Sequence, residues 1–397
     1  MNESTARQFY AGTVLLNGLE IPPHTIKIFL IRQWVFTILP RFEIEFVDGG
    51  AFLERFPIVD GSAIRFDIAR TADDPNNHHG ILHVQDSKIE ESANGFKINA
   101  TGYAHINSMW SDISAVHKGS SSSVLSDIAT KLDVEFDNRA GSTDDSMNWY
   151  QSSTTFEFLH YIRDRVSIPN DGAFVYLELP EYGNTSNKSK LVLTSLDTEI
   201  ANSIKYTAKK APGAVQADNI DSLDSSCVYY NKIETQNVMS TLNTRYGYGM
   251  SYGYQDVTTN EYISQSITEP KSLSGTVYRD TDLVGVVDSE KLALYDPIND
   301  HGDMVESMVR NRFYRESFFG ISSLMVISPL HPIRLFDKID VLVPSSNGET
   351  DGDIVEYLSG VGLVSGITFG VADMRYVKMI NISKNSVNFD RDSNITQ

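Results

Sequence analysis

The sequence is short of cysteine, of basic residues and of long apolar runs. Cys227 is its one cysteine, so no disulfide can form within the chain and a reducing compartment is expected. Lys+Arg number 33 against 52 Asp+Glu, a formal net charge of −19. Such a surface repels DNA and acidic membranes, and it excludes nucleic-acid binding through phosphates. The longest apolar run, residues 26–39, is broken by Arg32 and Gln33 and is too short to span a bilayer. No basic-plus-apolar leader opens the sequence.

Signatures of chemistry are missing as well. There is no G-x-S-x-G, no phosphate-binding loop and no Cys/His pair. The acidic pairs Asp73-Asp74, Glu90-Glu91 and Asp144-Asp145 are adjacent residues, which in a strand point to opposite faces. His78, His79 and His83 lack the spacing of a metal site, and residues 73–80 read as a turn cluster. Asp351 and Asp353 lack the alternating ligands of a calcium loop. Gly247, Gly249 and Gly253 do not make a dinucleotide fingerprint. No catalytic residue, metal ligand or cofactor is expected.

What is present is a folded globular composition, 41% hydrophobic and 10% aromatic, on a chain long enough for two to four domains. Residues 1–108 read as all-β. Two strand-like runs span 25–31 and 34–39. Phe42, Ile44 and Phe46 alternate with Arg41, Glu43 and Glu45, and a hairpin joins 81–90 to 96–105. Residues 26–39 suit either a core or an interface. Residues 109–200 are mixed: Val124, Leu125, Ile128, Ala129 and Leu132 make a helical face after the serines at 120–123, and two strands follow near 173–179 and 190–196. Strands return at 203–209 and 226–236. The run YGYGMSYGY at 246–254 reads as a flexible loop or hairpin tip, or as a contact surface through Tyr246, Tyr248 and Tyr252. A helix starts at Asp303 with Met304, Val305, Met308, Val309 and Phe313 on its apolar face. Strands end the chain up to 383, and residues 389–397 read as a disordered tail.

One stretch organises the rest. Residues 146–166 (SMNWYQSSTTFEFLHYIRDRV) read as a short strand, a cap and a helix. Thr154 with Glu157 is a capping-box spacing. Phe156, Leu159, Ile162 and Val166 form the stripe, Phe158 and Tyr161 lie beside it, and Arg163, Asp164 and Arg165 are expected on the solvent side.

This wording resembles a signature of the central hub proteins of contractile bacteriophage tails, and of the N-terminal hub part of type VI secretion spike proteins. There a tryptophan-bearing strand precedes a helix of the form T-x-F-E/D-F-L-x-x-I/L. Here Trp149 is followed by Thr155, Phe156, Glu157, Phe158, Leu159 and Ile162. The serine-rich helix start at 120–128 is similar to the family's preceding helix. Residues 328–343 resemble its proline turn into a strand, with Ile333 or Arg334 in place of the usual glycine. Residues 357–367 resemble its L-S-G-x-Y-L-V-x-G-I strand pair, and 376–382 its last strand.

The resemblance implies a β-rich α+β fold with two tail-tube-like antiparallel β-barrel domains and two smaller α+β domains. The barrels correspond to residues 1–108 and to 201–240 with 318–388. The others correspond to 109–200 and to an insertion at 241–317. It further implies a homotrimer of near six-fold symmetry that adapts a hexameric tail tube to a trimeric central spike. The spike would be a separate partner, alongside the tube and other baseplate proteins, and DNA would pass without specific binding. The site of action would be the virion baseplate, after synthesis in the host bacterial cytoplasm. Two other readings stand beside it: a tail-associated peptidoglycan or polysaccharide hydrolase with two carboxylates in one cleft, and a receptor- or glycan-binding module using the Tyr/Gly run.

Overall fold

A computed structural model describes residues 11–49, 53, 57–69, 77–93, 95–104, 106, 108–169, 171–180, 188–211, 226–237, 251–266, 292–317, 320–326, 332–345, 354–355 and 358–384. The protein is β-rich, with a few helices set between its strands. Strands β1 (Ala11–Leu16), β2 (Leu19–Glu20), β3 (Ile26–Trp34), β4 (Arg41–Asp48), β5 (Ala63–Ala69), β6 (His78–Ser92) and β7 (Gly95–Ala104) build a first ladder in the order β3-β4-β7-β6-β5-β1-β2. Phe42, Ile44 and Phe46 are at most 3% exposed, as their alternation requires. The ladder curls, because Phe29 of β3 and Phe66 of β5 meet edge to face at 5.8 Å although three strands separate them in the sheet.

Two expectations are corrected here. Residues 25–31 and 34–39 are not two strands. One strand ends at Trp34, and a turn closed by the Thr37 amide on the Trp34 carbonyl (3.2 Å) buries Val35, Ile38 and Leu39 in the core. His78, His79 and Gly80 lie in β6, paired with Ile68, Asp67 and Phe66, and not in a turn.

Between the ladders lie β8 (Asp112–Gly119), α1 (Ser121–Lys131), β9 (Glu135–Asn138), β10 (Met147–Thr154), α2 (Thr155–Arg165), β11 (Ala173–Glu178), β12 (Lys190–Ser195) and α3 (Leu196–Ile200). Strands β8 and β10 form a two-stranded ribbon, and β11-β12-β9 a small sheet. Ser120 caps α1 through its hydroxyl, which accepts from the Ser123 amide at 3.3 Å.

Strands β13 (Tyr206–Lys210) and β14 (Cys227–Asn237) begin the second ladder. After β14 the chain makes β15 (Ser251–Asp256), β16 (Tyr262–Ser266), β17 (Leu292–Tyr295) and helix α4 (Met304–Ser317). It then re-enters the ladder as β18 (Gly320–Val326), β19 (Lys338–Leu342), β20 (Gly360–Ala372) and β21 (Arg375–Lys384). The order β19-β13-β14-β18-β21-β20 closes on itself through β19–β20 into a six-stranded barrel. It is antiparallel except at β13, which runs parallel to both neighbours. The 251–254 part of the Tyr/Gly run is strand rather than loop, paired with β16.

The two ladders repeat one plan. Taken in chain order, β1, β3, β4, β5, β6 and β7 of the first match β13, β14, β18, β19, β20 and β21 of the second, and the spatial sequence is the same: second, third, sixth, fifth, fourth, first. The register repeats too. Phe46 pairs Ile98 and Arg41 pairs Tyr103 in the first; Val326 pairs Lys378 and Ile321 pairs Ser383 in the second. The step between counterparts is 280 residues (326 less 46, 378 less 98). Each long hairpin, β6–β7 and β20–β21, has a single bulged residue at the same place, Gln85 and Ser365.

The ladders are stitched into one sheet by β3 and β20, from Gly366 opposite Trp34 to Ala372 opposite Ile28. Among the described residues only the second ladder closes in hydrogen bonds. The β3 positions that correspond to the β13-pairing part of β14 are 23–26; Pro23–Thr25 form a 3-10 turn there, and β1 pairs β2 instead.

Candidate functional site

The family-signature residues sit where the ribbon and α2 meet the first ladder. Trp149 is fully buried, and its indole N–H donates to the Gly119 carbonyl at 2.8 Å. The bond locks the ends of β8 and β10, which are register partners two positions away. Thr154 caps α2 by accepting from the Glu157 amide at 3.2 Å, leaving Glu157 exposed in the first turn, where the helix dipole favours an acid. Thr155 is buried and its hydroxyl accepts from Gln151 Nε2 at 3.3 Å. Phe158, Leu159 and Ile162 are the buried face.

Phe156 is the exception to the expected stripe. It is half-buried and turns toward the first ladder, where it meets Trp110 at 4.9 Å and Tyr103 at 6.0 Å. His160 stands edge-on to it at 4.7 Å, its pKa held down to about 4 by burial and then by Arg163. Trp110 and Tyr103 line a cleft of about 390 Å³ with Asp60, Gly61, His83 and the bulged Gln85. Thus α2 braces an aromatic corner of the first ladder.

The end of α2 corrects another expectation. Arg163, Asp164 and Arg165 do not simply face solvent. The Arg163 side chain is 11% exposed and donates to the Phe36 carbonyl at 3.2 Å, tying the helix to the turn after β3. Arg165 lies over the Tyr161 ring at 3.7 Å. Asp164 accepts from Arg315 of α4 at 2.7 Å. The carbonyls that α2 leaves unpaired are claimed by α4: Asn311 Nδ2 donates to Val166 O at 2.7 Å and to Asp164 O at 3.3 Å, while its Oδ1 accepts from the Ala173 amide at 2.8 Å. Asn311 is fully buried within the face expected to be apolar; Met304 and Val305 are buried beside it as expected.

For chemistry, the acids that gather do so around a cation. Arg139 meets Asp137 (2.8 Å), Glu178 (3.4 Å) and Glu199 (3.7 Å), and burial raises the Glu199 carboxyl pKa above its usual range. The cavity beside Glu178 is about 30 Å³, room for a water and not for a sugar. Among the described residues no group of His, Cys, Asp and Glu is placed to hold a metal ion, and no helix is long and apolar enough to cross a membrane.

No family model and no curated protein matches the chain. Its coordinates are similar to the tail protein from Neisseria meningitidis MC58, with a TM-score of 0.55 and 10% identity over 96% of this chain and 98% of that one. They are also similar to the 43 kDa tail protein of prophage MuSo2 from Shewanella oneidensis, at 0.51 and 10% over 94% and 98%. The fold is that of phage tail proteins. A component of the type VI secretion system of E. coli aligns at 0.48 and 12% over 94% of this chain and 77% of that one. Of the signature residues, Trp149, Thr155, Phe158, Leu159 and Ile162 are buried, Phe156 is half-buried and Glu157 is exposed, and Trp110, Arg163 and Asn311 tie α2 to its neighbours. Of the tyrosines marked as possible contacts, Tyr246 and Tyr248 lie outside the described residues, and Tyr252 is in β15, opposite Gln265.

Proposed function

We propose that this chain is the central hub of a contractile tail baseplate, and that it works as a symmetry adaptor. The observation that carries the reading is the repeated ladder: one strand order and one register, twice in a chain. Three copies of a two-ladder subunit offer six similar lobes to a hexameric tube and three identical faces to a trimeric spike. In this reading residues 1–108, and 201–240 with 318–388, form the ring. Residues 109–200 and 241–317 brace it. The partners are the tube protein, a separate spike and other baseplate proteins. The −19 charge lets DNA pass the channel without adhering. The protein performs no chemistry of its own; its place is the virion tail, after synthesis in the host cytoplasm.

Light scattering and negative-stain imaging of the purified chain test this. The expected particle has three chains and a pore framed by six lobes. A hexamer, a filament or a species that stays monomeric at every concentration would overturn it.

A further inference from the structure

The repeat leaves one strand edge unaccounted for. In the second ladder, β20 changes partner at its bulge. Residues 360–363 pair β19, and past Ser365 residues 366–372 pair β3 of the first ladder. In the first ladder, β6 does the same only by half. Residues 78–83 pair β5, but past Gln85 residues 86–92 pair, among the described residues, with β7 alone. Burial follows. Thr368, Phe369 and Val371 are at most 4% exposed, whereas their counterparts Lys88, Ile89 and Glu91 are exposed, Ile89 to 44%.

The complementary edge is on β14, the counterpart of β3. Each of these strands has one bulged residue, Lys27 in β3 and Asn231 in β14, facing counterpart positions: Phe46 and Glu45, Val326 and Met325. Before its bulge β14 pairs β13 through residues 227–230. Past it, Lys232, Ile233 and Glu234 pair β18 among the described residues, and Lys232 and Glu234 are exposed.

We infer that β6 of one copy pairs antiparallel with β14 of the next, as β20 pairs β3 within the chain. The inference rests on the ring reading, and the in-chain seam fixes its register. Val371 lies opposite Phe29 and Gly370 opposite Leu30. Transposed, Glu91 lies opposite Ile233 and Glu90 opposite Glu234. The two facing glutamates are not left uncompensated. Lys88 pairs Glu90 and Lys232 pairs Glu234 within the chain. Across the seam each lysine falls on the diagonal of the other strand's glutamate, within reach of a long side chain. Three such seams alternating with three in-chain seams make one continuous sheet around the ring, with no free edge at these strands.

Cysteine cross-linking of the full chain tests it. Cys227 is buried, and the single variants control for it. A chain carrying Glu90→Cys and one carrying Glu234→Cys are mixed, reassembled and oxidised with copper phenanthroline. The expected result is a disulfide-linked dimer in the mixture and monomers with either variant alone. The double variant in one chain converts to a covalent trimer on a non-reducing gel. Glu90→Cys with Lys232→Cys, two residues out of register, loses that conversion because the sulfurs lie beyond disulfide reach. If the double variant scatters as a trimer yet runs as a monomer, the seam is wrong and the hub reading stands. If the unmodified chain never exceeds a monomer, both fail.

Discussion

Gln85 and Ser365 hold the same position in two hairpins. Each is the one extra residue on the first strand, opposite no residue of the second, and each stands seven residues before its turn (92 less 85, 372 less 365). A bulge ends one pairing and re-aims the strand for another. At Ser365 the second pairing is inside the chain; at Gln85 it is the seam inferred above.

The two bulges therefore differ in what their removal costs. Deleting Ser365 slips 366–372 by one residue and turns Ile367, Phe369 and Val371, at most 5% exposed, out of the core. At about 2–5 kcal/mol for each large side chain lost from the interior, this exceeds the margin of an ordinary domain, and no soluble folded protein is expected. Deleting Gln85 turns over a segment already exposed on both faces. That variant should fold, with a midpoint of thermal unfolding within a few degrees of the parent, and should fail to form the ring. Circular dichroism melts and light scattering on both variants check the pair.

Trp149 offers a cleaner test of the signature. Trp149→Phe keeps most of the buried ring but removes the indole N–H that donates to Gly119 O at the end of the ribbon. A loss of about 1–3 kcal/mol is expected. Trp149→Ala adds a cavity and should lose about 3–5 kcal/mol. Urea denaturation followed by circular dichroism measures both. Equal stability of the phenylalanine variant would show that the indole serves as volume and nothing more.

Much of this joint was legible in the sequence. The period-two run at 41–46, the Thr154 cap and the buried Phe158, Leu159 and Ile162 follow from spacing alone. Two strand-rich portions hinted at related domains, but residue by residue the repeat was not legible, because the matched positions have changed chemistry while the backbone kept its register. Ile98 corresponds to Lys378, Glu43 to Ser323 and Glu90 to Gly370; Val84 and Val364 are a rare pair left alike. Bulges leave no compositional mark. Arg163 was misread and Asn311 missed for a shared reason: periodicity sorts side chains into apolar and polar, and cannot tell a polar group bonded inside the fold from one in water.

Asn311→Ala should therefore cost more than a surface helix substitution. It strips the donor from Val166 O and Asp164 O and the acceptor from the Ala173 amide, all at a buried joint. A loss of about 3 kcal/mol or more is expected from several orphaned groups. Asn311→Asp keeps the acceptor for Ala173 but sets a carboxylate against the carbonyls at the end of α2, and should be no better. Chemical denaturation of both variants gives the comparison; a change under about 0.5 kcal/mol, as at an ordinary surface site, would refute it.

Acid should loosen the same joint through His160. Burial, then Arg163, lowers its pKa in the folded chain to about 4, against 6.5 for an ordinary imidazole. The unfolded chain therefore binds more protons between those values, and stability that is complete above pH 6.5 falls as the pH drops toward 4. His78, stacked on Phe369 at 3.9 Å and lowered to about 3 by burial and then by Lys378, acts in the same direction and continues the loss to lower pH. Urea midpoints from pH 8 to pH 4 should decline in the parent, and His160→Gln should decline less steeply across 6.5 to 4 while being no more stable at pH 8. Parallel curves for the two proteins would mean that the ring of His160 is as well solvated folded as unfolded, against the aromatic corner it shares with Phe156, Trp110 and Tyr103.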